Sequence, residues 1–187
     1  MASSEAVYRL LGVMVLVCSF PFEGTSAVRV YGVTAGYQDL VSTTCSHTLH
    51  FDVCVSSLRS DPRSKTSDVK GLAAIALDLS IGEAKKTISY IDSLKSRADN
   101  TQNQSKRLSE CMVEYSDALE NLQEAIQALS KTSIDDVNEL ATTAMTDSET
   151  CKDGFEEVPN SHFPLADRNQ YFDNLCGNFL AITTLLV

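Results

Sequence analysis

Leu108–Leu129, LSECMVEYSDALENLQEAIQAL, is the stretch that decides the fold. Its apolar side chains recur every three or four residues, at Leu108, Cys111, Tyr115, Ala118, Leu122, Ala125 and Leu129. This spacing places them on one face of an α-helix and leaves the Glu, Asp, Gln and Ser side chains on the other faces. We therefore predict a long amphipathic helix whose apolar face lies in a protein core.

Three other segments show the same helical spacing of apolar residues, over 73–91, 137–155 and 172–186. Four amphipathic helices with short connections are typical of an antiparallel four-helix bundle. The composition agrees, because Gly (8) and Pro (4) are scarce and a turn-rich β fold needs both. A chain of 187 residues also has room for one domain with a sizeable core. The predicted fold class is all-α.

Polar residues just before two of these segments suggest where the helices begin. Thr101 followed by Gln104 resembles a capping box at the start of the second helix. Thr66 or Ser67 is the candidate N-cap of the first helix, because a hydroxyl there can accept a hydrogen bond from a free backbone N–H.

The polar stretch from Asp99 to Lys106 is expected to form an exposed loop. It contains a sequon, Asn103-Gln104-Ser105, which permits N-glycosylation in a secretory compartment. Asn103 is therefore a predicted glycosylation site.

The N-terminus resembles a secretory signal peptide. Arg9 precedes an apolar run from Leu10 to Phe20, and the small residues Thr25 and Ala27 suit a cleavage site. The run is too short to span a bilayer, and the alternative is a buried N-terminal helix. We predict a signal peptide over residues 1–27, an N-terminal arm without helical spacing over 28–38, and a single domain over 39–187.

Removing the predicted signal peptide removes Cys18 and leaves an odd set of cysteines: Cys45, Cys54, Cys111, Cys151 and Cys176. In an oxidising compartment this set predicts two disulfides and one free thiol. Cys111 and Cys151 both fall on apolar helix faces, so a bridge between neighbouring helices is favoured. Cys45 and Cys54 could then staple a short hairpin, although four cysteines allow other pairings. Cys176 lies beside the fourth apolar face and is expected to be buried and free.

Cys45 and Cys54 also flank His47 and His50, and two thiolates with two imidazoles can bind zinc. Their spacing matches none of the common zinc patterns, so a disulfide is favoured. The sequence contains no nucleophile elbow, metalloprotease helix motif or phosphate-binding glycine loop. We therefore predict no bound metal, no cofactor and no enzymatic activity.

The chain has a formal net charge of −10 without a block of like charges, so the acidity is expected to be spread over solvated faces. A nucleic-acid partner is excluded, because phosphate binding needs clustered Lys and Arg. A basic protein is the favoured kind of partner. No segment after the predicted signal peptide is long and apolar enough to cross a membrane, and we predict no membrane partner.

Two groups of residues carry a family resemblance. The first comprises Leu40, Thr44-Cys45, Thr48, Cys54 and Leu58, and the second is Thr150–Glu156, TCKDGFE. Together they resemble the plant invertase and pectin methylesterase inhibitors, and the resemblance extends over residues 39–187. It implies a short helical hairpin before the four-helix bundle, with disulfides Cys45–Cys54 and Cys111–Cys151. It also implies a secreted protein of the apoplast, or of the vacuole, that covers an enzyme's active-site cleft in a one-to-one complex.

The resemblance leaves two targets open. Invertase-type members share a Pro-Lys-Phe loop between two bundle helices, and Ile134-Asp135-Asp136 stands there in this chain. The stretches Ser60–Leu79 and Phe163–Leu165 are nevertheless more similar to the invertase-inhibitor branch, so acid invertase is slightly favoured over pectin methylesterase. The predicted contact residues lie in the loop from Lys131 to Asp136, with the polar faces of the second and third helices: Lys131, Ile134, Asp135 and Asp136.

An alternative of another class is a helical lipid-binding or storage protein. Such a carrier would enclose an apolar cavity. Large side chains on the four apolar faces would instead fill the centre of the bundle, so the inhibitor is favoured.

Overall fold

The computed structural model describes residues 39–97, 100–157 and 162–187, and within them it contains six α-helices and no strand. The helices are α1 (Leu40–Cys45), α2 (Phe51–Ser60), α3 (Val69–Lys95), α4 (Gln102–Ser130), α5 (Ile134–Glu156) and α6 (Ala166–Thr183). Short 3₁₀ turns occupy Pro62–Lys65 and Thr184–Leu186. This arrangement confirms the predicted fold class, an all-α bundle of four long helices preceded by a helical hairpin.

The four long helices pack in cyclic order, with α4 between α3 and α5, and α6 between α5 and α3. Their apolar faces meet in a core that includes four fully buried aromatic rings, at Tyr115, Phe155, Phe172 and Phe179. Tyr115 meets Phe172 edge to face, with ring centroids 5.5 Å apart. The large side chains thus fill the centre of the bundle, as the apolar spacing predicted.

Two predicted helix starts need correction. Asp68, and not Thr66 or Ser67, caps α3, because its carboxylate accepts a hydrogen bond from the Gly71 N–H at 2.7 Å. The Ser67 hydroxyl is used elsewhere, since it donates to the Arg63 carbonyl of the preceding 3₁₀ turn. This back-bonding moves the helix start towards the C-terminus by one or two residues.

Thr101 caps α4 as predicted, with its hydroxyl oxygen accepting from the Gln104 N–H at 3.2 Å. The helix begins at Gln102, so the expected loop does not continue to Lys106. Polar composition misled the prediction here, because a capped first turn tolerates polar side chains that face solvent.

Disulfides join Cys45 to Cys54, between α1 and the first turns of α2, and Cys111 to Cys151, between α4 and α5. Since both thiols of the first pair are oxidised, they cannot act as zinc ligands. Cys176 is free and 0% exposed, and burial raises the pKa of its thiol to about 12. The thiol is therefore protonated at physiological pH.

A chain of buried polar groups crosses the bundle. The Tyr115 hydroxyl donates to Asn169 Oδ1 at 3.0 Å, and Asn169 Nδ2 donates to Asp173 Oδ2 at 3.1 Å. Ser148 Oγ donates to the other oxygen of Asp173. These bonds tie α6 to both α4 and α5 and fix its rotation, because an unpaired buried polar group would be costly.

No helix among the described residues is long and apolar enough to cross a membrane.

Replacing both Cys111 and Cys151 with Ala should lower the free energy of unfolding by roughly 4 kcal/mol, because the bridge joins residues 40 apart in sequence. The matched double variant, Cys45→Ala with Cys54→Ala, releases a separation of only 9 residues and should cost roughly 3 kcal/mol. Urea unfolding followed by circular dichroism measures both changes. An unchanged midpoint for the first variant would contradict a stabilising bridge between α4 and α5.

Candidate functional site

The connection between α4 and α5 is a fixed turn. Helix α4 ends in a Schellman motif, in which the Ser133 N–H bonds the Ala128 carbonyl at 3.0 Å and the Thr132 N–H bonds the Leu129 carbonyl at 3.1 Å. Thr132 has φ 58°, a left-handed conformation that is costly for a β-branched residue. The Lys70 ammonium donates to the Thr132 hydroxyl at 2.8 Å and holds the turn against α3. Strain of this kind is concentrated at functional sites in proteins.

The predicted contact loop is shorter than expected. Only residues 131–133 lie outside the helices, because Ile134, Asp135 and Asp136 form the first turn of α5. Lys131, Asp135 and Asp136 are exposed and Ile134 is half-buried. The two carboxylates lie where the helix macrodipole favours negative charge, so their place has a structural explanation as well.

Glu156 and Glu157 do not share that explanation. They lie at the C-terminal end of α5, where the macrodipole disfavours negative charge. Lys152 reaches Glu156 at 3.8 Å and Arg107 reaches Glu157 at 3.7 Å. These weak surface ion pairs offset the unfavourable position.

An acidic groove runs along the outer side of the contact between α4 and α5. The name covers two open depressions, of about 510 Å³ near Arg107 and about 490 Å³ near Lys131, and the carboxylates that lie between them. Carboxylates line it from both helices: Glu110, Glu114, Asp117 and Glu124 on α4, and Asp136, Glu139, Asp147 and Asp153 on α5. One depression lies beside the α4–α5 turn and the other lies towards the start of α4.

The middle of the groove holds carboxylates that lack a cationic partner. Partial burial raises the pKa of Asp147, although Asn121 Nδ2 donates to its carboxylate at 3.1 Å. Partial burial also raises the pKa of Glu114, and the negative charges of Asp147 and Asp117 raise it further. None of these three carboxylates forms an ion pair with a described residue. A cation supplied from outside would relieve this repulsion.

The groove corrects the expectation that the acidity is evenly spread. Glu110, Glu114, Asp117 and Glu124 follow helical spacing, so they share one face of α4, and this signal was present in the sequence. The opposing acids of α5 gave no such signal, because which residues face α4 depends on how the two antiparallel helices are aligned.

Asn103 lies in the exposed first turn of α4. Since a helix rises 1.5 Å per residue, it stands about 40 Å from Lys131 at the other end of the same helix. A glycan on Asn103 would therefore leave the α4–α5 turn accessible. The described residues also contain no group of three or more His, Cys, Asp or Glu side chains suited to hold a metal ion.

Comparison with known proteins identifies relatives over most of the chain. The profile of a family described as "Plant invertase/pectin methylesterase inhibitor" matches residues 39–182. A protein of Platanus acerifolia named "Putative invertase inhibitor" is 36% identical over 155 residues, which cover 79% of this chain and 86% of the relative. A "Pectinesterase inhibitor" of Actinidia deliciosa is 33% identical over 147 residues, which cover 79% of each chain.

A solved structure has the same fold. The crystal structure of a mutant form of a pectin methylesterase inhibitor from Arabidopsis superposes with a TM-score of 0.66 at 24% identity, over 78% of this chain and 95% of that chain. At this identity the match supports the helical bundle alone.

We expect the thermal stability to rise as the pH falls from about 7 to about 5. Burial raises the pKa values of Glu114, Asp147 and Asp173, so these carboxyl groups bind protons more tightly in the folded chain than in the unfolded chain. The stabilisation that results from their protonation is therefore lost as the pH rises through the folded pKa values. Replacing Asp147 with Asn should reduce this rise, whereas Asp92→Asn, at an exposed position on α3, should leave it unchanged. Melting curves at both pH values test this, and a wild-type melting temperature that falls on acidification would contradict it.

Proposed function

Because the chain belongs to the plant invertase/pectin methylesterase inhibitor family, we propose that it binds and blocks a plant cell-wall carbohydrate-active enzyme and catalyses no reaction itself. The observation that carries this proposal is the family match over residues 39–182, which spans the hairpin and nearly all of the four-helix bundle. Each part has a disulfide of its own, Cys45–Cys54 within the hairpin and Cys111–Cys151 within the bundle, which suits a rigid binding protein.

Acid invertase is the proposed target, with pectin methylesterase as the second candidate. The relative from Platanus acerifolia supports the first and the relative from Actinidia deliciosa supports the second, at nearly equal identity. A third relative, from Arabidopsis thaliana, is named "Cell wall / vacuolar inhibitor of fructosidase 2" and is 29% identical over 164 residues, which cover 87% of this chain and 91% of that relative. The departure from Pro-Lys-Phe at Ile134-Asp135-Asp136 is the specific feature that keeps pectin methylesterase as an alternative.

The acidic groove and the α4–α5 turn are the proposed contact surface. Protein–protein interfaces of standard size bury about 800 Å² on each partner, and the exposed sides of two long helices can supply such an area. The unpaired carboxylates at Glu114, Asp117 and Asp147 call for a basic surface on the partner. Charge complementarity of this kind accelerates association and weakens as salt screens it.

The proposed mechanism of inhibition is occlusion in a one-to-one complex. Lys131, Asp135 and Asp136 project from the end of the bundle, next to one depression of the acidic groove. The Schellman motif and the bond from Lys70 to Thr132 hold this end in place, so little conformational entropy is lost when it enters a cleft. If this rigid end of the bundle fills the cleft, it excludes substrate and presents no bond that the enzyme can cleave.

Secretion is part of the proposal. The predicted signal peptide over residues 1–27 and the arm over 28–38 lie outside the described residues, and the domain is proposed to occupy 39–187. Disulfides persist in oxidising compartments, so the two bridges support export to the apoplast, or to the vacuole as the alternative.

Inhibition should depend on the charge of the groove. The double variant Glu114→Lys with Asp117→Lys should weaken binding to the target about tenfold or more, because it replaces attraction to a basic surface by repulsion. The matched control, Asp52→Lys with Asp92→Lys, changes the net charge equally at exposed positions on α2 and α3. Titration of purified acid invertase and of pectin methylesterase, at low and high salt, measures the effect and identifies the target.

Equal loss of affinity in both double variants would show that net charge matters and the groove does not. Full activity of both enzymes at saturating wild-type protein would contradict the proposed function itself.

The mature chain purified from extracellular washing fluid should begin near Val28 and should carry a glycan on Asn103. N-terminal sequencing and mass spectrometry before and after glycosidase treatment measure both features. An intact Met1 would contradict the signal peptide, and an unmodified Asn103 would contradict the glycosylation site.

A further inference from the structure

A further surface depression lies between α3 and α6, and the proposed inhibitory function does not use it. This α3/α6 cavity has a volume of about 490 Å³, within the range of small-molecule sites. Its lining includes Glu83 and Tyr90 from α3, Arg168 and Tyr171 from α6, and His162 and Phe163 from the segment before α6. In the cyclic order of the helices, the contact between α3 and α6 is opposite the contact between α4 and α5, so the cavity and the acidic groove lie on opposite sides of the bundle.

A buried carboxylate belongs to the cavity lining. Glu83 is only 5% exposed, which is rare for an acidic residue without compensating partners. Arg168 Nη1 lies 3.0 Å from Glu83 Oε1, and the Lys86 ammonium lies 3.4 Å from Glu83 Oε2. Both carboxylate oxygens are thus occupied, so Glu83 serves to hold Arg168 in place.

Arg168 is held in place while some of its hydrogen-bond donors remain without an acceptor among the described residues. Its guanidinium carbon lies 4.6 Å from the centroid of the Tyr90 ring, which adds a cation–π contact to the ion pair with Glu83. The remaining guanidinium nitrogens have no acceptor among the described residues. A fixed, partly exposed guanidinium can bind paired oxygen atoms of a ligand with little loss of conformational entropy.

The remaining walls combine aromatic surface with polar atoms. Tyr171 is 39% exposed, and Phe163 is half-buried against Phe155, with ring centroids 5.3 Å apart. His162 and Asp167 are exposed at the cavity and can donate and accept hydrogen bonds. Flat apolar faces beside several polar groups suit a ring that carries hydroxyls on its edge and C–H bonds on its face.

The charges around the cavity balance. In the lining, Glu83 and Asp167 contribute two negative charges and Arg168 one positive charge, and Lys86, outside the lining, adds a second positive charge through its ion pair with Glu83. A strongly anionic or cationic ligand would therefore gain little electrostatic energy from these residues, whereas the binding of an uncharged ligand with several hydroxyl groups does not depend on a net local charge.

We propose that the α3/α6 cavity binds one end of a neutral saccharide, with a ring resting against Tyr171 and its hydroxyls accepting hydrogen bonds from Arg168. Since the acidic groove is on the opposite side of the bundle, the saccharide and the target enzyme can be bound at the same time. The inference stands apart from the proposed inhibitory function, because it needs no enzyme to be present.

The test is a titration of the full mature protein with cellotriose and galactotriose, which are neutral, and with trigalacturonate, which is anionic. Amide chemical shifts report the site, and tyrosine fluorescence offers a second signal because the chain contains no Trp. We expect at least one neutral trisaccharide to shift the amides of Tyr90, Arg168 and Tyr171, and to bind more tightly than trigalacturonate.

Two variants alter the cavity at partly exposed side chains and are expected to leave the bundle folded. Tyr171→Ala removes an exposed ring and should weaken saccharide binding roughly fivefold to tenfold. Arg168→Lys keeps a positive charge beside Glu83 but removes the spare guanidinium donors, and should weaken binding to a similar extent. The matched control is Phe51→Ala, which removes an exposed ring from α2 and should leave saccharide affinity unchanged.

Saturating saccharide should leave inhibition of the target enzyme intact. Absence of shifts with both neutral trisaccharides, tighter binding of trigalacturonate, or equal affinities for wild type and Tyr171→Ala would each overturn the proposal. Because these are binding measurements without enzyme, failure here leaves the proposed inhibitory function standing, and failure of the inhibition assays leaves this proposal standing.

Discussion

The Cys111–Cys151 disulfide connects α4 and α5 with their Cα atoms 4.6 Å apart, so it fixes how these two antiparallel helices are aligned. Neither helix can slide by a turn while the bridge is intact. The alignment brings Asp147 close to Glu114 and Asp117, and it places Asp153 opposite the beginning of α4. The acidic groove therefore depends on a covalent constraint that lies beneath it, with the almost fully buried Cys151 at the base of one depression.

Packing in the core around this disulfide fixes the orientation of α6. Tyr115 and Phe172 fill the centre, and the bonds from Tyr115 through Asn169 to Asp173 prevent α6 from rotating. In this fixed orientation of α6, Arg168 faces Glu83 and Tyr90 on α3. One core thus supports two different surfaces on opposite sides of the bundle, one with unbalanced negative charge and one with balanced charge.

The two surfaces favour different kinds of binding partner. In the acidic groove, partly buried carboxylates repel each other, and a basic partner lowers the electrostatic energy of the folded chain when it binds. In the α3/α6 cavity, the charged groups already satisfy one another and leave directional donors and aromatic faces. A protein surface suits the first, since charge complementarity acts over a wide area, and a small hydroxylated molecule suits the second.

Apolar spacing at Leu108–Leu129 and in the three other segments was sufficient to determine four amphipathic helices and hence the bundle, because burial of one helix face is a local property of the sequence. The cysteines on two of those faces, with the family resemblance, likewise indicated the bridges. Three features became apparent only in the tertiary structure: the cap at Asp68, the left-handed turn at Thr132 and the meeting of acids from α4 and α5. The cap is a choice among three adjacent polar residues, the Thr132 turn is held by Lys70 of α3, and the acids meet only when α4 and α5 are aligned. Apolar spacing along the sequence encodes none of these, because each depends on hydrogen bonds or on contacts between helices that form only in the folded chain.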